Sequence, residues 1–431
     1  MYDIQTENAS ERGLIVGLVL PDVSLREAQD TLDELTLLAD TAGVEVVEQV
    51  LQERQQIEPA YFIGRGKAEE IAEWVKEHNV QAVIFDDDLS PAQTRNLETM
   101  IEVKIIDRSR LILDIFASRA KTREAQTQVE LAQLVYMLPR LTRQWTHLSR
   151  QAGGTGGGGV GTRGPGETQL EVDRRATRYR ITILKQALAR ISKQRAIARK
   201  QRGDIFQAAL VGYTNAGKST LMRALSGADV FIENRLFATL DSTTRRISLG
   251  YNREILLSDT VGFIKKLPHH LIASFRSTLE EAIEANLLLH VVDASHSACE
   301  EHMTTVTEVL SELEVADNPT MLVFNKSDLI ERETRAYLTH QYPEAVWVSA
   351  HTGEGLDDLR WAIYNHLEGD RIILNVQIPQ HEGKLLSELY RVGEILHTDY
   401  QDNDVLLEIK LSQQNAQRLL PNERYYQTAV S

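Results

Sequence analysis

The chain has 431 residues, of which 42% are hydrophobic and 25% charged. It is too long for one hydrophobic core and too apolar to be disordered. It has no run of 18 apolar residues and no visible secretory signal, and one cysteine excludes an internal disulfide. These features predict several domains, no membrane insertion and a cytoplasmic location.

The net charge of −15 is unevenly distributed. Residues 140–202 alone carry +12, which leaves −27 on the rest of the chain. A local basic segment on an acidic protein predicts contact with phosphate groups.

Residues 1–118 predict an α/β domain with a mostly parallel sheet, because short apolar runs alternate with helical patterns. Strands are predicted at 14–20, 44–50, 80–85 and 103–106, and a helix at 68–77. We interpret Phe62–Lys67 as a tight turn that starts a helix. Asp86, Asp87 and Asp88 follow a strand and raise the question of a metal site. No spaced partner ligands accompany them, so we expect a solvated loop.

Residues 119–203 predict a helical hairpin. Apolar residues recur at helical spacing over 119–150, with a kink or end at Pro139, and again from Glu167 to Gln201. Between them, Gly153–Gly166 contains nine of the 25 glycines in 14 positions, which predicts a loop. Helix connections need only about two to eight residues, so we interpret this loop as a tip that enters a crevice.

The flanks of the glycine loop are rich in arginine, with Trp145 and His147 interleaved. Guanidinium groups bind phosphates bidentately and aromatic rings stack on unpaired bases, so the pattern favours RNA contact over a solvated basic face. The candidate RNA-binding residues are Arg143, Arg150, Arg163, Arg174, Arg175 and Arg178.

Residues 204–368 contain a G-x-x-x-x-G-K-S motif between a predicted strand and a predicted helix, the context of a phosphate loop. Its backbone N–H groups are expected to face the β-phosphate and Lys218 to reach the β- and γ-phosphates. The Ser219 hydroxyl is expected to bind Mg²⁺. The candidate nucleotide ligands here are Gly212, Tyr213, Thr214, Asn215, Ala216, Gly217, Lys218, Ser219 and Thr220.

Three further motifs follow, each at the end of a predicted strand. In Asp259-Thr260-Val261-Gly262, the aspartate is expected to hold Mg²⁺ through water and the Gly262 N–H to sense the γ-phosphate. In Asn325-Lys326-Ser327-Asp328, the last carboxylate accepts two hydrogen bonds that guanine offers and adenine does not. A backbone N–H of Ser349-Ala350-His351 is expected to bind the guanine oxygen. The motifs therefore predict GTP and GDP as ligands rather than ATP.

The four motifs resemble those of translation-factor-related GTPases, and that resemblance implies that the segment Phe237–Arg245 is the first nucleotide-sensing switch. Its candidate ligands are Phe237, Ala238, Thr239, Leu240 and Asp241. We favour Thr239 as the residue that completes Mg²⁺ coordination, while Thr243 and Thr244 are alternatives that spacing leaves open. The predicted metal ligands are thus Ser219, Thr239 and Asp259, and the predicted catalytic residues are Lys218, Thr239 and Gly262.

Two positions bear on the rate of hydrolysis. Phe263 directly follows Gly262, where many GTPases have a glutamine that orients water. A phenyl ring cannot do this, so we expect slow intrinsic hydrolysis and a partner that supplies about 10³–10⁵ in rate. Asn215 resembles the asparagine of GTPases that use a monovalent cation, which makes K⁺ a second candidate cofactor. The alternative is that Asn215 only fixes the loop conformation.

Residues 369–431 predict a small α+β domain without a catalytic signature. Strands are predicted at 371–378 and 405–410, with a helix at 383–390 between them.

The order of the motifs resembles the translation-factor-related GTPases, which implies a doubly wound, mostly parallel sheet with nucleotide at the carboxyl ends of its strands. Nearly the whole chain resembles the HflX family of ribosome-associated GTPases. The resemblance is carried by Tyr61–Lys67, Gly164–Arg175, Gly212–Thr220 and Phe237–Asp241. It implies a GTPase that binds the large ribosomal subunit, with the hairpin reaching toward the peptidyl transferase centre, and that splits stalled or stress-arrested ribosomes.

The predicted architecture is thus an α/β multidomain protein: an N-terminal α/β domain (1–118), a basic hairpin (119–203), a G domain (204–368) and a C-terminal α+β domain (369–431). We expect a monomer. The alternatives to ribosome splitting are a regulatory switch that recruits a protein, a ribosome-assembly GTPase, or a scaffold with negligible turnover.

Overall fold

The structure is a computed structural model. It describes residues 11–142, 165–201, 205–227, 236–237, 239–250, 253–266, 268, 279–315, 317–369, 371–401 and 403–420.

The N-terminal sheet has four parallel strands in the order β2-β1-β3-β4. The strands are β1 (Glu11–Val19), β2 (Val44–Glu53), β3 (Ala82–Phe85) and β4 (Lys104–Asp107). The helices are α1 (Leu25–Thr41), α2 (Arg65–His78), α3 (Pro91–Ile101) and α4 (Arg108–Arg119). The predicted strands, the parallel sheet and the turn before α2 are confirmed. Side chains of Ser24, Ser90 and Asp107 cap α1, α3 and α4 by accepting a backbone N–H hydrogen bond.

The expectation of a solvated loop at the end of β3 is wrong for Asp86. Asp86 is 2% exposed and pairs with Arg108 and Lys266, whereas Asp88 is exposed. Two cations from distant parts of the chain converge on Asp86, and no local pattern in the sequence signals this.

The hairpin consists of α5 (Arg123–Met137) and the long α6 (Pro165–Gln201). Glu130 pairs with Arg180 and Glu124 with Arg195, each at 2.7 Å, so the two helices run antiparallel. Helix α5 begins at Arg123, four residues later than predicted, because Thr122 caps it, and it ends at Met137, as predicted from Pro139. Helix α6 begins at Pro165, two residues earlier than predicted, since proline suits the first helical position. Residues 143–164, with most of the glycine loop, lie outside the described part of the chain.

The G-domain sheet has six strands in the order β10-β9-β8-β5-β7-β6, all parallel except for the antiparallel pair of β6 and β7. The strands are β5 (Gln207–Val211), β6 (Thr243–Gly250), β7 (Arg253–Asp259), β8 (Leu287–Asp293), β9 (Thr320–Asn325) and β10 (Val346–Trp347). The helices are α7 (Lys218–Ser226), α8 (Glu280–Ile283), α9 (Cys299–Glu312), α10 (Arg332–Gln341) and α11 (Leu356–Gly369). The doubly wound, mostly parallel sheet is confirmed. Strand β5 lies where the strand order reverses, the place where such sheets bind ligands.

The C-terminal sheet is antiparallel in the order β11-β13-β12. Its elements are β11 (Arg371–Pro379), α12 (Gly383–Val392), β12 (Glu394–Gln401), β13 (Asp404–Ser412) and α13 (Gln413–Leu419). The α+β class is confirmed. Strand β12 escaped prediction because its side chains are mostly exposed and form no apolar run.

One apolar core joins the N-terminal and G domains. Leu35 of α1 and Phe116 of α4 belong to the same cluster of buried side chains as Phe237 and Phe263. The segments around Phe237 and Phe263 therefore pack on the N-terminal domain. Within the described residues, no helix is both long and apolar enough to cross a membrane.

Candidate active site

A cavity of about 550 Å³ opens at the carboxyl ends of the G-domain strands. Residues of all four motifs and of Phe237–Arg245, here called the first switch, line it. The predicted residues at its wall are Thr214, Asn215, Gly217, Lys218, Ser219, Thr220, Phe237, Thr239, Thr260, Gly262, Asn325, Lys326, Asp328, Ala350 and His351. The predicted residues that do not line the cavity are Gly212, Tyr213, Ala216, Leu240, Asp241, Asp259, Val261 and Ser349. Ala238 lies outside the described residues.

The phosphate loop needs its glycines. Gly212 has φ +155°, and a Cβ there would lie 2.2 Å from the carbonyl oxygen of Val291 on the neighbouring strand. Gly217 has φ +89°, and a Cβ there would lie 2.3 Å from the Asn325 side chain. The close packing of β8 and the third motif against the loop thus excludes any side chain at either position.

Lys218 is folded back over the phosphate loop. Its Nζ donates to the carbonyl oxygens of Gly212 at 3.0 Å and Tyr213 at 2.8 Å. Burial lowers the pKa of Lys218 to about 8, and the nearby Asp259 carboxylate opposes this shift. A phosphate group in the cavity would favour the charged form further.

Three oxygen-bearing side chains meet at one edge of the cavity. The Ser219 hydroxyl donates to the Asp259 carboxylate at 2.6 Å, and Thr239 Oγ1 lies 2.7 Å from Ser219 Oγ and 3.1 Å from the same carboxylate oxygen. The other oxygen of Asp259, Oδ1, is buried and lacks a hydrogen-bond partner in the described structure. Burial raises the pKa of Asp259, and Lys218 opposes this. Such a set of hard oxygen donors with one unsatisfied carboxylate oxygen fits Mg²⁺.

The alternatives to Thr239 lie on strand β6. Thr244 Oγ1 is 2.8 Å from Ser258 Oγ, and Thr243 is exposed. Thr239 is the threonine of the first switch that the structure brings to Ser219 and Asp259.

The third motif also holds the cavity together. Asn325 is 2% exposed; its Nδ2 donates to the Ala216 carbonyl at 2.8 Å, and its Oδ1 accepts from the Ala350 N–H at 3.0 Å. One amide therefore links the phosphate loop to the fourth motif. Asp328 is exposed at the cavity, as a residue that recognises a base must be.

The segment Asp259–Lys266, here called the second switch, is tied to the phosphate loop by backbone hydrogen bonds. The N–H of Thr214 donates to the Phe263 carbonyl at 2.7 Å, and the N–H of Phe263 donates to the Gly212 carbonyl at 3.1 Å. The Phe263 ring is 2% exposed and belongs to the core. Asn215 has φ +58°, a left-handed conformation that asparagine tolerates well.

The candidate RNA-binding residues are only partly described. Arg175 and Arg178 are exposed on α6, and Arg174 is half-buried. Arg143, Arg150 and Arg163 lie outside the described residues.

Sequence reasoning missed a group of side chains outside every motif. Arg223 and Leu329 line the cavity. Behind it, Glu34 binds Tyr213, Arg108 binds the Lys265 carbonyl, and Lys266 binds Asp86. Glu34, Arg108 and Lys266 come from elements far apart in the chain, so the sequence carries no local signal for them.

Family models match most of the chain. Residues 29–117 match one described as "GTP-binding GTPase N-terminal", 119–202 "GTP-binding GTPase Middle Region", 207–326 "50S ribosome-binding GTPase" and 336–424 "HflX C-terminal domain".

Relatives match over nearly the full length. The GTPase HflX of Flavobacterium psychrophilum is 46% identical over 82% of this chain and 90% of that protein. The GTPase HflX of Escherichia coli is 44% identical over 91% of this chain and 92% of that protein. A crystal structure of a GTP-binding protein from Sulfolobus solfataricus in complex with GDP is 22% identical over 82% of this chain and 98% of that chain, with a TM-score of 0.44. From the four motifs assembled around one cavity, the family models and the two HflX relatives at 44–46% identity, the chain belongs to the HflX family of GTPases.

Proposed function

We propose that this GTPase binds the large ribosomal subunit and uses the GTP-bound state to split stalled or stress-arrested ribosomes in the cytoplasm. The match of residues 207–326 to a 50S ribosome-binding GTPase model supports the partner. The exposed Arg175 and Arg178 on the long helix α6 support contact with RNA, because phosphates dominate such binding. The hairpin would reach toward the peptidyl transferase centre.

At the nucleotide, the proposed roles follow the geometry. Lys218 and the phosphate-loop amides hold the phosphates, Asp328 selects guanine, and the Gly262 N–H senses the γ-phosphate. Ser219, Thr239 and Asp259 would hold Mg²⁺, which supplies positive charge to the phosphate oxygens when bound. Asn325 keeps the phosphate and base regions at a constant distance.

A contact between the first switch and the hairpin carries the proposal. The Asp241 carboxylate accepts hydrogen bonds from the backbone N–H groups of Lys121 at 3.3 Å and Thr122 at 3.2 Å, and from the Thr122 hydroxyl. Thr122 is the N-cap of α5, the first helix of the hairpin. Asp241 is two residues from Thr239, so a switch that moves Thr239 also pulls on the start of the hairpin.

A second contact supports the first. The rings of Phe237 and Phe116 pack edge to face with centroids 4.7 Å apart. Phe116 lies in α4, directly before the break that leads into α5. The first switch is therefore attached to the hairpin base by an apolar contact and a polar one.

Hydrolysis is expected to need the ribosome. Phe263 is buried and offers no group to orient water. We therefore propose that the large subunit orders the switches or supplies a polar group, with an effect of about 10³–10⁵ on the rate.

We also propose K⁺ as a second cofactor, because Asn215 stands at the phosphate-loop position where some GTPases have an asparagine that helps to bind a monovalent cation. The rival explanation is that its left-handed backbone conformation alone accounts for the residue. Rates of GTP hydrolysis in potassium chloride and in sodium chloride at equal ionic strength distinguish the two explanations. A faster rate in potassium supports K⁺ as a cofactor, and equal rates exclude it.

The test of the proposed function measures GTP turnover with no partner, with large subunits and with small subunits, for the full chain and for a variant lacking residues 153–164. We expect large subunits alone to stimulate turnover, and sedimentation to show intact ribosomes separating into subunits only with GTP or a non-hydrolysable analogue. The deletion variant should fail to separate them. Absence of stimulation would refute the ribosome as partner and favour a switch that recruits a protein. Stimulation without separation would refute splitting.

A further inference from the structure

A buried polar network joins the N-terminal domain to the second switch. At its centre is Arg108, the first residue of α4, which is 1% exposed. Its guanidinium group pairs with Asp86 at 2.7 Å and with Glu34 of α1. It also donates to the backbone carbonyl of Lys265 at 3.0 Å. One buried arginine thus links two carboxylates of its own domain to the backbone of a G-domain loop.

Tyr213 of the phosphate loop closes the network from the other side. Its hydroxyl donates to the Glu34 carboxylate and accepts from the backbone N–H of Lys265 at 2.8 Å. Both backbone groups of Lys265 are therefore held by side chains, one from each domain. Lys266 strengthens the attachment, since its ammonium group lies 2.6 Å from Asp86 and 2.7 Å from Asp87.

The held segment starts at the glycine that is expected to sense the γ-phosphate. Gly262 is packed against the phosphate loop: a Cβ there would lie 2.9 Å from the Thr214 Cα and 3.0 Å from the Lys218 Nζ. The Phe263 ring is buried, and its backbone is bound to Gly212 and Thr214 of the phosphate loop. Beyond Phe263, the polar anchors of this segment are those on Lys265 and Lys266, and most of their partners lie in the N-terminal domain.

We propose that Arg108 is a positioning residue of the GTPase: through the Lys265 carbonyl it holds the second switch where Gly262 can meet the γ-phosphate. The N-terminal domain then sets how well the site distinguishes GTP from GDP. This inference rests on the GTPase activity of the family and does not depend on the ribosome as partner.

The competing explanation is that Arg108 only stabilises the N-terminal domain. The chain offers a matched control in Arg140, which pairs with Asp107 at 2.7 Å and donates to the Leu89 carbonyl at 2.9 Å. These partners all belong to the N-terminal domain. Substitution of Arg140 breaks a comparable arginine–carboxylate pair without touching the second switch.

The experiment compares wild type with Arg108→Lys, Arg108→Ala, Tyr213→Phe and Arg140→Ala, each as the full chain. It measures the affinities for GDP and a non-hydrolysable GTP analogue, and kcat and KM for GTP. Lysine keeps the charge of Arg108 but lacks the planar fork that reaches three partners. We expect the Arg108 variants to lose about tenfold in affinity for the GTP analogue relative to GDP, with a lower kcat. Tyr213→Phe should shift the same ratio by less.

Arg140→Ala should leave the ratio of the two affinities and kcat as in wild type. An unchanged ratio in Arg108→Lys and Tyr213→Phe would overturn the proposal, and so would an equal fall in Arg140→Ala. If Arg108→Ala does not fold, the lysine and phenylalanine variants still decide the question. A parallel loss of GDP and GTP-analogue affinity in both would show that the network supports only the fold.

Discussion

Asp241→Ala is expected to disconnect the hairpin from the nucleotide. The carboxylate accepts two backbone N–H groups and one hydroxyl at the start of α5. Loss of a helix-capping interaction costs about 0.5–2 kcal/mol, and loss of a negative charge at a helix N-terminus about 0.3–1 kcal/mol. Because the contact is partly solvated, we take about 1–2 kcal/mol as the coupling free energy that Asp241 carries.

At about 1.4 kcal/mol for a factor of ten, that coupling corresponds to a five- to thirtyfold change. The assay is the stimulation factor, which is GTP turnover at saturating large subunits divided by turnover without them. We expect it to fall by about this factor in Asp241→Ala. Lys121→Ala is the matched control, because the contact uses the backbone N–H of Lys121 and not its side chain. A stimulation factor equal to wild type in Asp241→Ala, or an equal fall in Lys121→Ala, would refute the reasoning.

Three further predictions concern the G domain. Gly355→Ala should lower the free energy of unfolding, measured by urea titration, by at least about 2 kcal/mol, because φ is +72° and a Cβ would lie 2.0 Å from the Trp347 carbonyl oxygen. Gly353→Ala is the control and should lower this free energy by less, because the space around Gly353 is open. Equal losses in the two variants would contradict the prediction. Asn325→Ala should weaken binding of GDP and of a GTP analogue alike, by about tenfold in calorimetry, since its amide links two loops away from the γ-phosphate. Burial lowers the pKa of His290 to about 4. Between pH 6.5 and 4, this imidazole is therefore protonated in the unfolded chain but stays neutral in the folded chain. Stability should then fall by up to about 3 kcal/mol from pH 6.5 to 4, and less steeply in His290→Leu; identical pH profiles would exclude this histidine as the cause.

Much of the fold could be predicted because short stretches of the sequence determine the strands and the phosphate loop. Most strands of the two mainly parallel sheets are short apolar runs. The phosphate loop requires glycine at positions 212 and 217, so its sequence pattern identifies it. The elements that were not predicted include helix α4, which continues directly from β4, and strand β6, in which only two of the eight residues are buried.

The candidate site, too, was predictable only where short motifs determine it. The four motifs could be placed together because the carboxyl ends of parallel strands share one edge. The placement of Asp86 could not be predicted, because its partners Arg108 and Lys266 are 22 and 180 residues away along the chain. The contact with Arg108 depends on the fold of the N-terminal domain and the contact with Lys266 on how the two domains dock, and periodicity and propensity encode neither.

The paired hydrogen bonds between Thr214, Gly212 and Phe263 extend the ladder of β5 and β7 beyond the ends of both strands. The first half of the second switch is therefore a continuation of the sheet and not an independent loop. Beyond Phe263 the switch leaves the sheet, and Lys266 has a left-handed φ of +55°. In hydrogen exchange, the amides of Thr214 and Phe263 would report opening of the sheet itself, whereas the amide of Lys265 would report release from the Tyr213 hydroxyl, which in turn is bound to Glu34 of the N-terminal domain.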